Sequence, residues 1–117
     1  MSELSAYAAN VQANALARSL DGGYLRIYEA DRVLTELRFG EPSAGPAKDG
    51  VLEFVLRADE SALLTGSPLR FQAMTKDGTS VLSGSVGVSD ADLLVRFASI
   101  VKGARVSVGK FSHRVPR

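Results

Sequence analysis

The sequence predicts a mainly β fold, an antiparallel β-sandwich of jelly-roll type, with one α-helix at its N-terminus. Three observations carry this. The apolar period changes from 3.6 to 2 at Gly23. Asp77-Gly78, set between alternating apolar residues, is a strong hairpin signal. Roughly seven or eight short alternating runs fill the rest of the chain, the spacing of a sandwich or barrel. The 117 residues fit one compact unit, read as a helical interface arm over 1–22 and a β-sandwich domain over 23–117.

From Leu4 to Leu20 there is no Gly or Pro and much Ala, the best helix former. Ser2 and Ser5 are the candidate N-caps, and Asp21-Gly22-Gly23 supplies the stop. At about 100° per residue, Leu4, Tyr7, Ala8, Val11 and Ala15 form one apolar stripe. Ala6, Ala9, Ala13, Leu16 and Leu20 form a second on nearly the opposite side. Asn10 and Asn14 lie on a flank between them. A helix lying on one core with its back in water needs a single stripe. The second stripe therefore predicts a contact with a neighbouring chain, with Leu4, Tyr7, Val11, Leu16 and Leu20 as its candidate residues. The plain alternative is that small Ala side chains tolerate water.

The strands follow in order. Leu25 and Ile27 alternate with Tyr24, Arg26 and Tyr28, and Val33, Leu37 and Phe39 oppose Glu36 and Arg38. Gly40 to Gly50, with Pro42 and Pro46, predicts a loop. Leu52, Phe54 and Leu56 alternate with Glu53, Val55 and Arg57. Ala58 to Ser67 is ambiguous and could hold a short helical turn. Leu69, Phe71 and Ala73 alternate up to Lys76, and Ser80 to Val88 returns as the hairpin partner. Ala91 to Ala98 and Ala104 to Val115 complete the set. The predicted core is Leu25, Ile27, Leu37, Phe39, Leu52, Phe54, Leu56, Leu69, Phe71, Val86, Val106 and Val108.

Composition narrows the chemistry. With 45% hydrophobic and 23% charged residues the chain can bury a core. There is no Cys, hence no disulfide, thiolate site or thiol nucleophile. His113 is the one histidine, which removes most zinc sites and imidazole acid–base pairs. It reads as a strand histidine near the basic chain end. Asp90-Ala91-Asp92 reads as a turn, because a calcium loop would need further oxygen ligands downstream. Asp59-Glu60 reads as a charged loop, and Gly84-Ser85-Val86-Gly87 lacks the Lys-Ser/Thr ending of a phosphate loop. No catalytic, metal or cofactor residue is assigned, and no enzymatic activity is expected. No apolar run reaches the roughly 18–20 residues of a membrane span. The formal net charge of +1 is too small to predict a general nucleic-acid affinity. Charge is uneven, however. Lys102, Arg105, Lys110, Arg114 and Arg117 close the chain without an acid, while the first 101 residues carry nine basic against thirteen acidic residues, a balance of −4. A basic C-terminal strand on an acidic body can dock on an acidic partner or serve as a soluble edge.

The order of segments carries a resemblance. Ala8-Ala9-Asn10 and Ala13-Asn14-Ala15-Leu16 run into Leu20-Asp21-Gly22-Gly23-Tyr24-Leu25-Arg26-Ile27-Tyr28. Leu37-Arg38-Phe39-Gly40, Gly50-Val51-Leu52, Leu69-Arg70-Phe71, Lys76-Asp77-Gly78-Thr79 and Gly84-Ser85-Val86-Gly87 follow, and Ile100-Val101-Lys102-Gly103-Ala104-Arg105-Val106-Ser107-Val108 precedes a short tail. This pattern, over nearly the whole chain, resembles a family of small structural proteins of tailed bacteriophages, of the capsid decoration or cement type. It departs at Glu29-Ala30-Asp31-Arg32, where a Gly and Pro turn is expected. The resemblance implies a non-enzymatic virion component without cofactors, made in the host cytoplasm and located on the capsid. It also implies a major capsid or other virion protein as partner, with homo-oligomers formed. Alternatives are a tail or neck protein and a ligand-binding β-sandwich module, although the latter usually displays clustered loop aromatics.

Overall fold

Ser5 sets the start of the helix: its Oγ accepts the Ala8 N–H at 3.1 Å, satisfying one of the orphan donors of the first turn. The computed structural model describes residues 5–108 and 111–115, and helix α1 spans Ala6–Leu20. Gly22, at φ +69°, turns the chain out of the helix. Gly23 is required for a different reason. A Cβ there would collide with the Met74 carbonyl oxygen, so helix and sheet could not meet this closely.

Seven strands follow: β1 (Tyr24–Glu29), β2 (Arg32–Ala44), β3 (Val51–Arg57), β4 (Arg70–Met74), β5 (Ser80–Gly87), β6 (Leu93–Leu94) and β7 (Phe111–Arg114). They form one mixed sheet in the order β6-β5-β4-β1-β2-β3-β7, antiparallel except for the short β5–β6 pair. Strands β1 to β3 run as consecutive neighbours and β4 returns beside β1, which is one Greek key. The sheet curls until it nearly closes. Phe111 on β7 stacks on Phe54 of β3 at 5.1 Å and meets Phe71 of β4 edge-on at 5.2 Å. Closure therefore comes from aromatic contact rather than from a backbone ladder. The mainly β class with one N-terminal helix stands.

Ten of the twelve predicted core residues are buried. Leu69 is a correction: it precedes β4 and is 55% exposed, because the sheet ends there and nothing covers its side chain. Leu56 is half-buried. Val33 is also half-buried, while Leu34, Thr35 and Tyr28 are enclosed instead. A register shift at Ile27/Tyr28 breaks the strict alternation there, and the Leu34 carbonyl accepts the Leu63 and Leu64 amides of the overlying β3–β4 connection.

Element bounds differ from expectation where tertiary hydrogen bonds decide them. Strand β2 runs five residues into the predicted 40–50 loop, although its ladder to β3 skips from Phe39 to Ala44. Ser43 in that gap is held by α1, its N–H on Asp21 Oδ1 at 2.7 Å and its hydroxyl on the Ala17 carbonyl at 2.6 Å. The 58–67 segment holds no helical turn and runs beside 100–106 through the Asp59–Val106 and Gly66–Ile100 bridges. The predicted strand over 91–98 shrinks to Leu93–Leu94. The one over 104–115 is divided, leaving Val106 on its bridge and Phe111–Arg114 as β7.

Candidate functional site

Helix α1 resolves the two-stripe pattern. Ala13, Ala17 and Leu20 are buried in the same core as Leu25, Leu37, Phe39, Leu52 and Phe54, with Ala9 also buried and Leu16 half-buried against it. Small Ala side chains on this face let the helix backbone lie close to β2 and β3. Leu16 and Leu20 are thus engaged within their own chain. The other stripe faces outward: Tyr7 is 79% and Val11 48% exposed, and Ala15 is exposed as well. Leu4 lies outside the described residues.

The flank between the stripes has its own role. Asn10 Oδ1 accepts the Gly50 N–H at 2.7 Å, and Asn14 Oδ1 accepts the Ala47 N–H at 2.9 Å. Two asparagines one turn apart therefore pin the 45–50 loop to the helix, which holds α1 in a fixed orientation and its outer stripe in a fixed place.

The basic chain end is not one strand. Lys102 sits in a turn whose N–H reaches Thr65 Oγ1, and Arg105 Nε faces Glu60 Oε1 at 3.3 Å in an exposed ion pair. Arg114 lies on β7, its guanidinium donating to the Asp49 carbonyl at 3.4 Å. Glu60 lies just past one end of β3 and Asp49 just before the other. Arg105 and Arg114 are therefore separated by the length of that strand, about 20 Å at 3.3 Å per residue. Lys110 and Arg117 lie outside the described residues.

A cleft opens where the sheet fails to close. Phe71, Leu82, Ser83, Asp92, Phe111, Ser112, His113 and Arg114 line a space of about 290 Å³ between β5 and β7. Leu52 faces the core and lies opposite His113, so the imidazole points to the inner side at the cleft mouth. Burial lowers the His113 pKa below its ordinary value, against the opposing pull of the Asp92 charge. Asp92 is held by β5, with its Oδ2 accepting the Ser85 N–H at 2.9 Å while Ser85 Oγ accepts its own N–H at 3.1 Å. Gly84 makes room for it, since a Cβ there would stand 2.5 Å from Asp92 Oδ2 and 2.9 Å from Phe71 Cε1. Nothing in the local sequence joins these residues, which come from four separate segments; only the curl of the sheet assembles them.

Among the described residues no group of three or more His, Asp or Glu side chains converges as a metal site would require. No helix among them is long and apolar enough to cross a membrane. Set against protein-family models, curated proteins and solved structures, the chain matches none of them.

Proposed function

We propose that this protein is a non-enzymatic structural component of a tailed-phage virion that docks on the shell, in many copies, through the outer stripe of α1. The observation that carries this reading is the exposure of Tyr7 and Val11 on a helix whose opposite stripe is already closed in its own core. Large apolar side chains side by side on a rigid element are what a protein interface uses as anchors. The Greek key of β4-β1-β2-β3 supports the finer reading of the fold as a sandwich of jelly-roll type, an architecture with two such keys. The partner proposed is a major capsid protein or another virion protein, with self-association through the same stripe, and the location proposed is the capsid. A tail or neck position uses the same surface. The cleft at Phe71, Phe111 and His113 favours the second reading, a small-ligand module, through its mixed apolar and polar lining.

The test is a Tyr7→Glu/Val11→Glu variant. Both positions face solvent, so the fold is expected to melt within about 0.5 kcal/mol of the parent at each. Co-sedimentation with assembled shells, and self-association by analytical ultracentrifugation, are expected to be lost. Full retention of both would overturn the reading. Deleting residues 1–20 is the poorer experiment, because it would uncover the core that Ala13, Ala17 and Leu20 close.

A further inference from the structure

The outward face of β4-β1-β2-β3 carries a concentration of charge that no run of the sequence displays. Residues directly opposite in an antiparallel pair share a side, as do alternate residues along a strand. Leu25, Ile27 and Leu37 point into the core, so Tyr24, Arg26, Glu36 and Arg38 point away from it. Tyr24 stands opposite Arg38, and Arg38 opposite Arg57. In the next row Arg26 lies between Glu36 and Gln72, with Ser83 beyond Gln72. In the third, Tyr28 stands opposite Arg70 and Arg70 opposite Ser85. Four strands thus contribute one arginine each to a single surface.

The tyrosines hold three of these four arginines in place. The Arg26 and Arg38 guanidiniums lie 5.0 and 5.4 Å from the centre of the Tyr24 ring, and that of Arg70 lies 4.2 Å from the centre of Tyr28. Arg70 also donates twice to the Ala30 carbonyl, at 3.1 and 2.9 Å. Of the carboxylates on or beside this face, Glu36 faces Arg26 at 3.7 Å, Glu53 shares the outward side of β3 with Val55 and Arg57, and Asp92 holds Ser85 at the β5 edge. Asp59 at the rim accepts the Thr35 hydroxyl and the Glu36 and Ser61 amides. Arg38 and Arg57, both exposed, remain directly opposite one another, a like-charge pairing that costs stability until an anion lies across it.

We infer that this face binds the phosphate backbone of a single-stranded nucleic acid. All four cations are arginines, whose fork matches phosphate oxygens, and the polar residues beside them (Gln72, Ser83, Tyr24) are of the types that contact phosphate and sugar. A protein partner fits less well. Among the described residues the face exposes only the well-separated Val55 and, at its β5 margin, Val81, whereas a stable protein interface needs an apolar centre within roughly 800 Å² per partner. An open sheet surface also suits a strand whose bases are free to lie against it better than a closed duplex. The low net charge of the chain does not oppose this, because binding follows the local field.

Anisotropy of a labelled, mixed-sequence single-stranded oligonucleotide, titrated with the full chain from about 50 to about 200 mM salt, tests the inference. With three to four phosphates neutralised, log K is expected to fall against log salt with a slope of about −2 to −3. Arg38→Gln/Arg57→Gln is expected to reduce that slope by about 1, and Arg57→Gln alone by about half as much. Arg18→Gln, on helix α1 packed against the inner side of the sheet, is expected to leave it unchanged. Thermal melts verify that each variant is folded. Absence of salt-dependent binding, undiminished binding by the folded Arg38/Arg57 variants, or equal binding of polyglutamate (the mark of an acidic-protein site) would overturn it.

Discussion

His113 shows how far a residue's meaning depends on what folds around it. In the sequence it is an isolated imidazole in a basic tail; in the fold it faces the mouth of a cleft, where burial favours its neutral form. The sign of the consequence follows directly. The unfolded chain takes up its proton near the ordinary value of 6.5, and the folded chain only at lower pH. Between those values the unfolded state holds more protons, so stability rises with pH across that window and is lost as pH falls below about 6.5. Urea unfolding at pH values on either side should therefore show a larger drop for the parent than for His113→Gln. An identical drop in both would place the imidazole in open water. Asp59 acts in the same sense at lower pH, its stabilisation being lost as pH falls below 3.8. Burial alone would raise its pKa, but donors on Thr35, Ser61 and Glu36 outweigh it and hold the carboxylate below 3.8. The notion of a charged loop at Asp59-Glu60 misses this anchor, because two of its donors lie more than twenty residues away.

At the scale of elements, turns separate what local chemistry dictates from what packing imposes. Asp77-Gly78 closes the β4–β5 hairpin as read, with Gly78 at φ +90° and its N–H on the Thr75 carbonyl at 2.9 Å. Asp49-Gly50 makes an even tighter turn, both residues left-handed between Lys48 and Val51, yet in the sequence it is hidden at the end of a proline-rich loop. The β1–β2 hairpin runs against preference: Glu29 pairs with Arg32 across Ala30-Asp31, and Ala30 sits at φ +53° without being glycine. The left-handed region costs an L-residue roughly 1–2 kcal/mol, partly offset by the greater chain entropy that glycine would lose. Ala30→Gly is expected to stabilise the protein by up to about 1 kcal/mol, read as a higher denaturation midpoint at unchanged m-value. A lower midpoint would mean that the Ala30 methyl makes a contact worth more than the strain. The double hydrogen bond from Arg70 to the Ala30 carbonyl fixes this turn from β4, which is how the chain dispenses with the Gly and Pro expected there.

For the whole molecule the decisive feature is a sheet that curls almost shut around four phenylalanines. Phe39 meets Phe54 at 5.4 Å, Phe54 stacks on Phe111, and Phe111 meets Phe71, a chain of rings that crosses the unpaired gap between β7 and the other end of the sheet. Phe111→Ala should remove two ring contacts and the closure together, at a cost of about 3–5 kcal/mol by chemical denaturation. Phe97, only partly buried at the margin of the core, should cost distinctly less when truncated. A Phe111→Ala cost below about 1 kcal/mol would show that the curl is set by strand twist alone. The same closure leaves the cleft on one side and turns the arginine face outward on the other, so the two surfaces most open to ligands are both by-products of how the sheet bends.

What the sequence determined by itself is the local layer. The helix and its Ser5 cap, the period change at Gly23, the Asp77-Gly78 hairpin and ten of the twelve inward residues from Leu25 to Val108 follow from short-range spacing, and short-range spacing is written along the chain. The two stripes of α1 were legible in the same way, as was the stripe left over once Ala13, Ala17 and Leu20 had packed. Register was not legible. Which residue stands opposite which is set by bulges at Ile27/Tyr28, Phe39/Ala44 and Ala73/Met74, and by side chains such as Asp59, Asn10 and Ser43 that capture distant backbone groups. Only tertiary structure could divide Arg105 from Arg114, gather Phe71, Asp92 and His113 at one cleft, and bring Arg26, Arg38, Arg57 and Arg70 onto one face. A charge run in sequence measures proximity along the chain, whereas electrostatics acts through space, and in a folded sheet the nearest neighbour of an arginine lies across the strands.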